Sequence, residues 1–362
     1  MRTRRLPILA VALVVAATAA ACGGGGDSED ATPSTTVAPT TTTVPAPTTT
    51  TTVEATTTTP APVPTFPLTG LPIDDPARAA RPVLAVKIDN NARARPQVGL
   101  NQADIVFEEL VERASRYVAV FQSRDSDPVG PVRSARTSDL NILANLGSMP
   151  LFANSGGNRG TMGLVHRAAL VDVGHESASS GFFYRERSRR APHNLFVKTS
   201  DLYTAAVPES KPPEAFFDYR QPGEGPPPTA EAITGVALDF DSNRSAFRWN
   251  PTTSSWDREL DGTPHVDDKD VLVSPTNVIT LFVDYGRSPA DPGSPEARTV
   301  GEGEAWVFVG GQLVRGAWNR PSPADRYQLL DTAGQPIKLL PGTTWIALPR
   351  DGRAELLPPG QA

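Results

Sequence analysis

Cysteine is almost missing from this chain, with one in 362 residues, at position 22. A single thiol excludes an internal disulfide framework and any cysteine-cluster metal centre. Histidine is nearly as scarce: His166, His175, His193 and His265 are the whole set, and no two fall at metal-ligand spacing. No metal and no cofactor is therefore expected. Lysine falls to 5 against 29 arginines and the net charge is −6, so the basic excess of a nucleic-acid binder is lacking and no such partner is expected. The chain also carries no Walker A loop, no HExxH, no G-x-S-x-G elbow and no EF-hand loop.

What is present begins with an address. Three arginines within Met1–Arg5 precede an uncharged run from Leu6 to Ala21, which reads as a signal peptide over residues 1–21. Sixteen residues fall short of the roughly 20 needed for a comfortable membrane span. The lone Cys22 follows Ala19-Ala20-Ala21, which resembles a bacterial lipobox, so lipidation at Cys22 and a membrane partner reached through that lipid are expected. Residues 22–65 then read as a disordered stalk, since Ala31 to Thr65 holds 17 Thr and 7 Pro with Glu54 its only charge. Extended in polyproline II, such a stalk reaches on the order of 130 Å, enough to lift a domain into a cell wall. The expected place is the outer face of the cytoplasmic membrane.

The remainder is long enough for a sizeable core. Strand-like and helix-like runs alternate over 66–206. Val83–Ile88, Ile105–Val111, Tyr117–Phe121 and Leu151–Ala153 read as strands, with helices after Thr137-Ser138-Asp139 and after Thr199-Ser200. Residues 207–230, with seven prolines, read as a linker. From 231 to 350 the pattern is strand and turn, and 351–362 reads as a tail. The fold class expected is α+β, a mixed α/β N-terminal domain followed by a mainly β C-terminal domain.

The candidate site residues cluster in the first domain. Arg133 and Arg136 stand just ahead of a predicted helix start, where guanidinium forks suit a carboxylate or phosphate. Asp89 and Asn90 close the first strand, where open α/β sheets hold ligands, although Asp-Asn-Asn is also ordinary turn chemistry. Glu108 and Glu112 fall on one face of a strand, as a base or as partners of the arginines. His193, in Pro192-His193-Asn194, is the most site-like histidine, and Asn194 beside it is a second binding candidate. His265 reads as part of a turn.

Several short runs carry a resemblance: Val86–Asn90, Arg95–Leu100, Ala103–Val106 with Glu108, Gly130–Arg136 and Ala191–Leu195. In the second half they are Trp256, Gly262–Val266, Asn277–Ile279, Gly301–Gly303 and Pro341–Ile346. Over roughly residues 66–350 the chain resembles the YerB-like lipoprotein family. The resemblance implies a two-domain, lipid-anchored bacterial envelope protein and leaves the activity unnamed. Three readings follow. The first is a module binding an anionic ligand, a cell-wall polymer or an envelope protein in a polar cleft of Asp89, Asn90, Arg133, Arg136 and Asn194. The second is a wall-directed hydrolase or transferase using Glu108 and His193 as catalytic residues, and the third is a structural scaffold.

Overall fold

The structure, a computed structural model, describes residues 63–357. The signal segment, Cys22 and the stalk as far as residue 62 lie outside the described residues, as do the last five residues of the expected tail. Among the described residues the four α-helices all precede residue 207: α1 (Pro76–Ala80), α2 (Thr137–Leu143), α3 (Arg159–Val165) and α4 (Thr199–Tyr203). The same half holds strands β1 (Leu84–Ile88), β2 (Ile105–Val111), β3 (Ala114–Phe121), β4 (Leu151–Ala153), β5 (Val171–Asp172), β6 (Tyr184–Arg185) and β7 (Leu195–Phe196). The second half is strand and turn: β8 (Glu231–Ala232), β9 (Gly235–Phe240), β10 (Asn243–Asn250), β11 (Ser255–Leu260), β12 (Thr263–Pro264), β13 (Asn277–Leu281), β14 (Tyr285–Arg287), β15 (Pro295–Ala297), β16 (Gly301–Val309), β17 (Gln312–Arg320), β18 (Gln328–Asp331), β19 (Thr344–Leu348) and β20 (Ala354–Leu357). A mixed N-terminal part followed by a β-rich C-terminal part is thus the architecture.

The two halves share one sheet. Its order is β18-β17-β16-β13-β19-β2-β3-β1-β4-β5, with β8 added beside β17. Late strand β19 lies parallel to both β13 and β2, which sews the halves together. A second sheet, β12-β11-β10-β9-β20, is antiparallel throughout. Strand β20 falls inside the expected tail. It is held there by pairing Ala354–Leu357 against β9.

Side chains alternate across a strand, so the shared sheet has two buried faces. Ala85, Phe107, Val118, Phe152, Ile279 and Ile346 face one way, against Ile142, Leu143, Met162 and Val165 of α2 and α3. Val86, Val106, Tyr117, Ala153, Val278 and Trp345 face the other, against Val236, Leu238, Phe247 and Trp256 of the second sheet. The result is three layers. The expected linker has no helix or strand before β8, yet Phe216 and Phe217 within it are buried in the helix-side core. Its prolines break secondary structure, while its two phenylalanines pin it down.

Candidate functional site

Strands β1, β4 and β5 run parallel, with Val86 opposite Ala153 and Phe152 opposite Asp172. The chain therefore leaves all three at one edge, through Asp89, Ser155-Gly156 and Gly174-His175. Open sheets commonly bind ligands beyond such carboxyl ends. Segment Pro131–Ala135 is laced across that edge. The Asp89 amide donates to the Pro131 carbonyl (2.9 Å), Arg133 to Lys87 (2.8 Å), Ser155 to Arg133 (3.0 Å) and Ala135 to Gly156 (2.9 Å). This lacing fixes where the Arg133 side chain begins.

Three of the expected residues meet there. His193 Nδ1 lies 2.7 Å from Asp89 Oδ2, and Arg133 Nε lies 3.3 Å from the same oxygen. Asp89 Oδ1 accepts from the Asn91 amide, so the carboxylate is held at both oxygens. A carboxylate can only accept here, which puts the proton of neutral His193 on Nδ1 and leaves the Nε2 lone pair open. Among the described residues neither His193 Nε2 nor the two Arg133 Nη groups meets a partner, and the Arg133 side chain is 24% exposed. The Arg133 Nε–H is buried without a well-directed hydrogen bond. The site has one carboxylate, one oriented imidazole and one guanidinium with donors to spare.

Asn194 serves this site by holding its hairpin. Its amide donates to the carbonyls of Glu186 (3.2 Å) and Arg189 (3.1 Å), and its oxygen accepts from Arg185 (3.0 Å). With β6 pairing β7, these bonds fix the loop that presents His193.

Arg136 is placed differently from the expectation. It precedes α2, and its amide is taken by Asp139 Oδ2 (2.7 Å). Its guanidinium is spent on Glu112 (2.5 Å) and on the Ala135 carbonyl (2.9 Å). Glu112 does not continue strand β2; it turns the chain at φ 48°. Burial raises its pKa, but Arg136 and Arg116 more than offset this and hold it below the ordinary carboxylate range. Arg116 completes the group by donating to the Ser134 carbonyl (3.2 Å). Burial first, then the charge of Arg136, lowers Arg116 to about 10, with Arg133 adding to the same effect. Three arginines thus crowd near Asp89 and Glu112, and among them Arg133 leaves both Nη groups without a partner among the described residues.

Glu108 is not part of this edge. It faces the second sheet and is fully buried. Both its oxygens take Arg258 Nη2 (3.0 Å each), while Ser115 Oγ donates to one (2.7 Å) and Trp345 Nε1 to the other (3.0 Å). Asn90 belongs to the same network. Arg258 Nη1 donates to His265 Nδ1 (2.6 Å), His265 Nε2 to Gln97 (2.8 Å), Gln97 to Asn90 Oδ1 (3.2 Å), Asn90 to Ser115 (2.8 Å) and Ser115 to Glu108. Every donor and acceptor in this closed ring runs from the cation Arg258 to the anion Glu108. His265 must be neutral to accept from Arg258. Burial, then Arg258 and Arg95, push it well below the ordinary imidazole range. The rings of Trp345, Tyr117 and Phe247 enclose the Arg258 guanidinium at 4.4, 5.4 and 5.5 Å.

Glu109, one residue on, faces the helices. There Lys87 is paired with Glu109 and, at 2.6 Å, with Asp139 of α2, all three side chains fully buried. One cation between two carboxylates leaves a buried excess of negative charge. Burial lifts Glu109 to about 7, with Lys87 opposing and Asp139 reinforcing the shift. Composition and spacing gave no sign that Lys87, Gln97, Ser115, Arg258 and His265 would be joined to these acids. The one usable signal was that charged residues interrupt otherwise apolar strands, since a buried charge must be paired. No group of three or more metal-ligating side chains is arranged to hold an ion among the described residues.

The description "Protein of unknown function (DUF3048) N-terminal domain" matches residues 68–211, and its C-terminal counterpart matches 236–346, in the same order. The chain belongs to the DUF3048 family. Within the family, "Putative lipoprotein YerB" of Bacillus subtilis (strain 168) is 26% identical over 307 residues, covering 82% of this chain and 89% of that protein. The crystal structure of the B. subtilis YerB protein superposes with a TM-score of 0.72 at 23% identity, covering 81% of this chain and 99% of that one. The fold is therefore shared with that protein. The N-terminal match contains Asp89, Arg133 and His193, whereas the Glu108–Arg258 ring draws on both matched segments. Among the described residues no helix is long and apolar enough to cross a membrane.

Proposed function

We propose that this chain is a lipid-anchored envelope protein, held at the outer face of the cytoplasmic membrane through Cys22, that binds an anionic ligand at Arg133. The anchor rests on the signal-like first 21 residues, on the lone cysteine after them and on the lipoprotein name of its B. subtilis relative. The stalk then carries the folded part outward into the wall. The observation that supports the ligand reading most is Arg133 itself. It is a partly exposed guanidinium with both Nη groups open, fixed by its backbone and backed by Asp89. Such a fork suits a carboxylate or phosphate, and hydrogen bonds to charged groups contribute about 1.5–3 kcal/mol each. Calorimetry of the full chain in detergent, with inorganic phosphate and with acetate, tests the reading. Arg133→Ala should weaken binding by about tenfold or more, equivalent to about 1.4 kcal/mol. Equal binding by wild type and variant would refute it.

A second reading, hydrolysis or group transfer at the wall, is favoured by the Asp89–His193 pair. The carboxylate orients Nδ1–H and leaves the Nε2 lone pair without a partner among the described residues, as a base. Glu108 takes no part in this version, because its oxygens are already occupied. Turnover of wall fragments should fall about 100-fold or more in His193→Gln. It should be unchanged in Glu112→Gln, and any other pattern counts against the reading.

A further inference from the structure

The hairpin that presents His193 has a surface the anion site does not use. Residues 181–190 hold Arg185, Arg187, Arg189 and Arg190 against one acid, Glu186, in a chain whose net charge is −6. Phe182 and Tyr184 are among the few large apolar side chains left exposed, at 38% and 42%. Arg189 is spent on the fold: it donates to the Ala94 carbonyl (2.9 Å) and lies over the Phe196 ring at 5.2 Å. That bond sets the hairpin against the short turn Ala92–Ala94, which carries exposed Arg93. Arg93, Arg187 and Arg190 make no side-chain ion pair or hydrogen bond among the described residues, and all three are exposed. His193 and Arg133 stand beside them, because the His193 amide donates to the Arg190 carbonyl (3.0 Å) and its ring meets the carboxylate that Arg133 also faces. The acidic neighbours are Glu186, whose carboxylate accepts from Ser188, and Asp268 near Tyr184.

Two of the roomier cavities of the fold lie elsewhere, beside Lys211 and Asp325 and against Phe282 and Trp318. The arginines line open surface. An open surface of unpaired guanidinium groups with exposed aromatic side chains suits an extended chain of negative charges better than a small enclosed ligand.

We propose that the ligand is an extended phosphodiester polymer, one phosphate of which sits at Arg133 while neighbouring phosphates lie along Arg93, Arg187 and Arg190. This rests on the anion-site reading above and names the substance that site takes. Cooperation between separated phosphates makes affinity depend on chain length, and the release of counterions makes it depend on salt.

The test uses the full chain in nanodiscs, titrated with inorganic phosphate and with poly(glycerol phosphate) of increasing length. Affinity should rise steeply with length. The double variant Arg187→Ala/Arg190→Ala should lose about tenfold or more for long chains, and its log–log salt slope should shrink by about 1.4 if each lost contact counts as in flexible single strands. Its binding of inorganic phosphate should not change, which shows that the variant is folded. Phosphate bound at Arg133 with no gain from length would overturn this inference and leave the anion site standing. Long-chain binding that needs Arg187 and Arg190 but is indifferent to Arg133→Ala would overturn the anion site and leave the arginine surface standing. A fluorophore at Ser188→Cys that shifts on moving from neutral to anionic discs, with no response to polymer, would give the surface to the membrane and overturn the inference.

Discussion

Arg258→Ala should lower the unfolding free energy by about 3–5 kcal/mol, among the largest effects of any single side chain here. The cost does not come from the pair's own attraction, which desolvation largely cancels. It comes from what the truncation leaves: Glu108, fully buried, keeping only Ser115 and Trp345 as donors, and His265 Nδ1 without its hydrogen bond. The aromatic enclosure of Trp345, Tyr117 and Phe247 also loses the cation that fills it. Ring members Asn90, Gln97, Glu108 and Ser115 come from the first half of the chain, and Arg258 and His265 from the second. The loss should therefore appear as one cooperative transition for both halves in urea. Glu108→Gln combined with Arg258→Gln should cost clearly less than the two single changes added together, because neither partner then remains as a lone buried charge. Simple additivity would show that the ring is not a unit.

The second large effect is a dependence of stability on pH with an unusual sign. Glu109 is lifted from the ordinary glutamate range, near 4.5, to about 7. A carboxyl whose folded value is raised holds its proton in the fold at pH values where the unfolded chain has released it. The folded state then binds more protons between about pH 4.5 and 7, so stability falls as pH rises through that window and levels off above it. At about 1.4 kcal/mol per unit, the fall amounts to about 3 kcal/mol. Glu109→Gln keeps the shape without the titration and should abolish most of the fall, as followed by urea unfolding from pH 5 to 8. His265 cannot produce the same signal. Its folded value is depressed, so its contribution is lost as pH falls below the ordinary imidazole range. A fall with rising pH that survives Glu109→Gln would disprove the assignment.

Parts of this fold were legible from the residues alone. Apolar, β-branched runs such as Val83–Ile88 and Ile105–Val111 announced strands, and the Ser/Thr-rich starts at Thr137 and Thr199 announced α2 and α4. Joining the two halves through β19 was not legible, since a parallel pairing between residues 105–109 and 344–348 leaves no local mark. The same holds for the linker, whose prolines predicted broken structure while Phe216 and Phe217 drew it into the core. At the site, strand-end logic brought out Asp89, and the histidine context brought out His193. Arg133 was distinguished from Arg136 only by geometry, because the turn at Glu112 decides which guanidinium is used up. Glu108 and Glu109 show the limit most plainly. Adjacent in sequence, they face opposite layers, and their partners lie 150 residues downstream in one case and on the next strand but one and a helix in the other.

The central claim is that Arg133, backed by Asp89 and beside His193, takes an anion. The most direct measurement is nuclear magnetic resonance of the full chain in micelles, following the Arg133 Nε–Hε signal and the His193 ring signals during a phosphate titration. Both should move together along one saturating curve, and the Arg133 signal should be identified by its loss in Arg133→Lys. An Arg133 signal that stays in place while phosphate is raised would contradict the account.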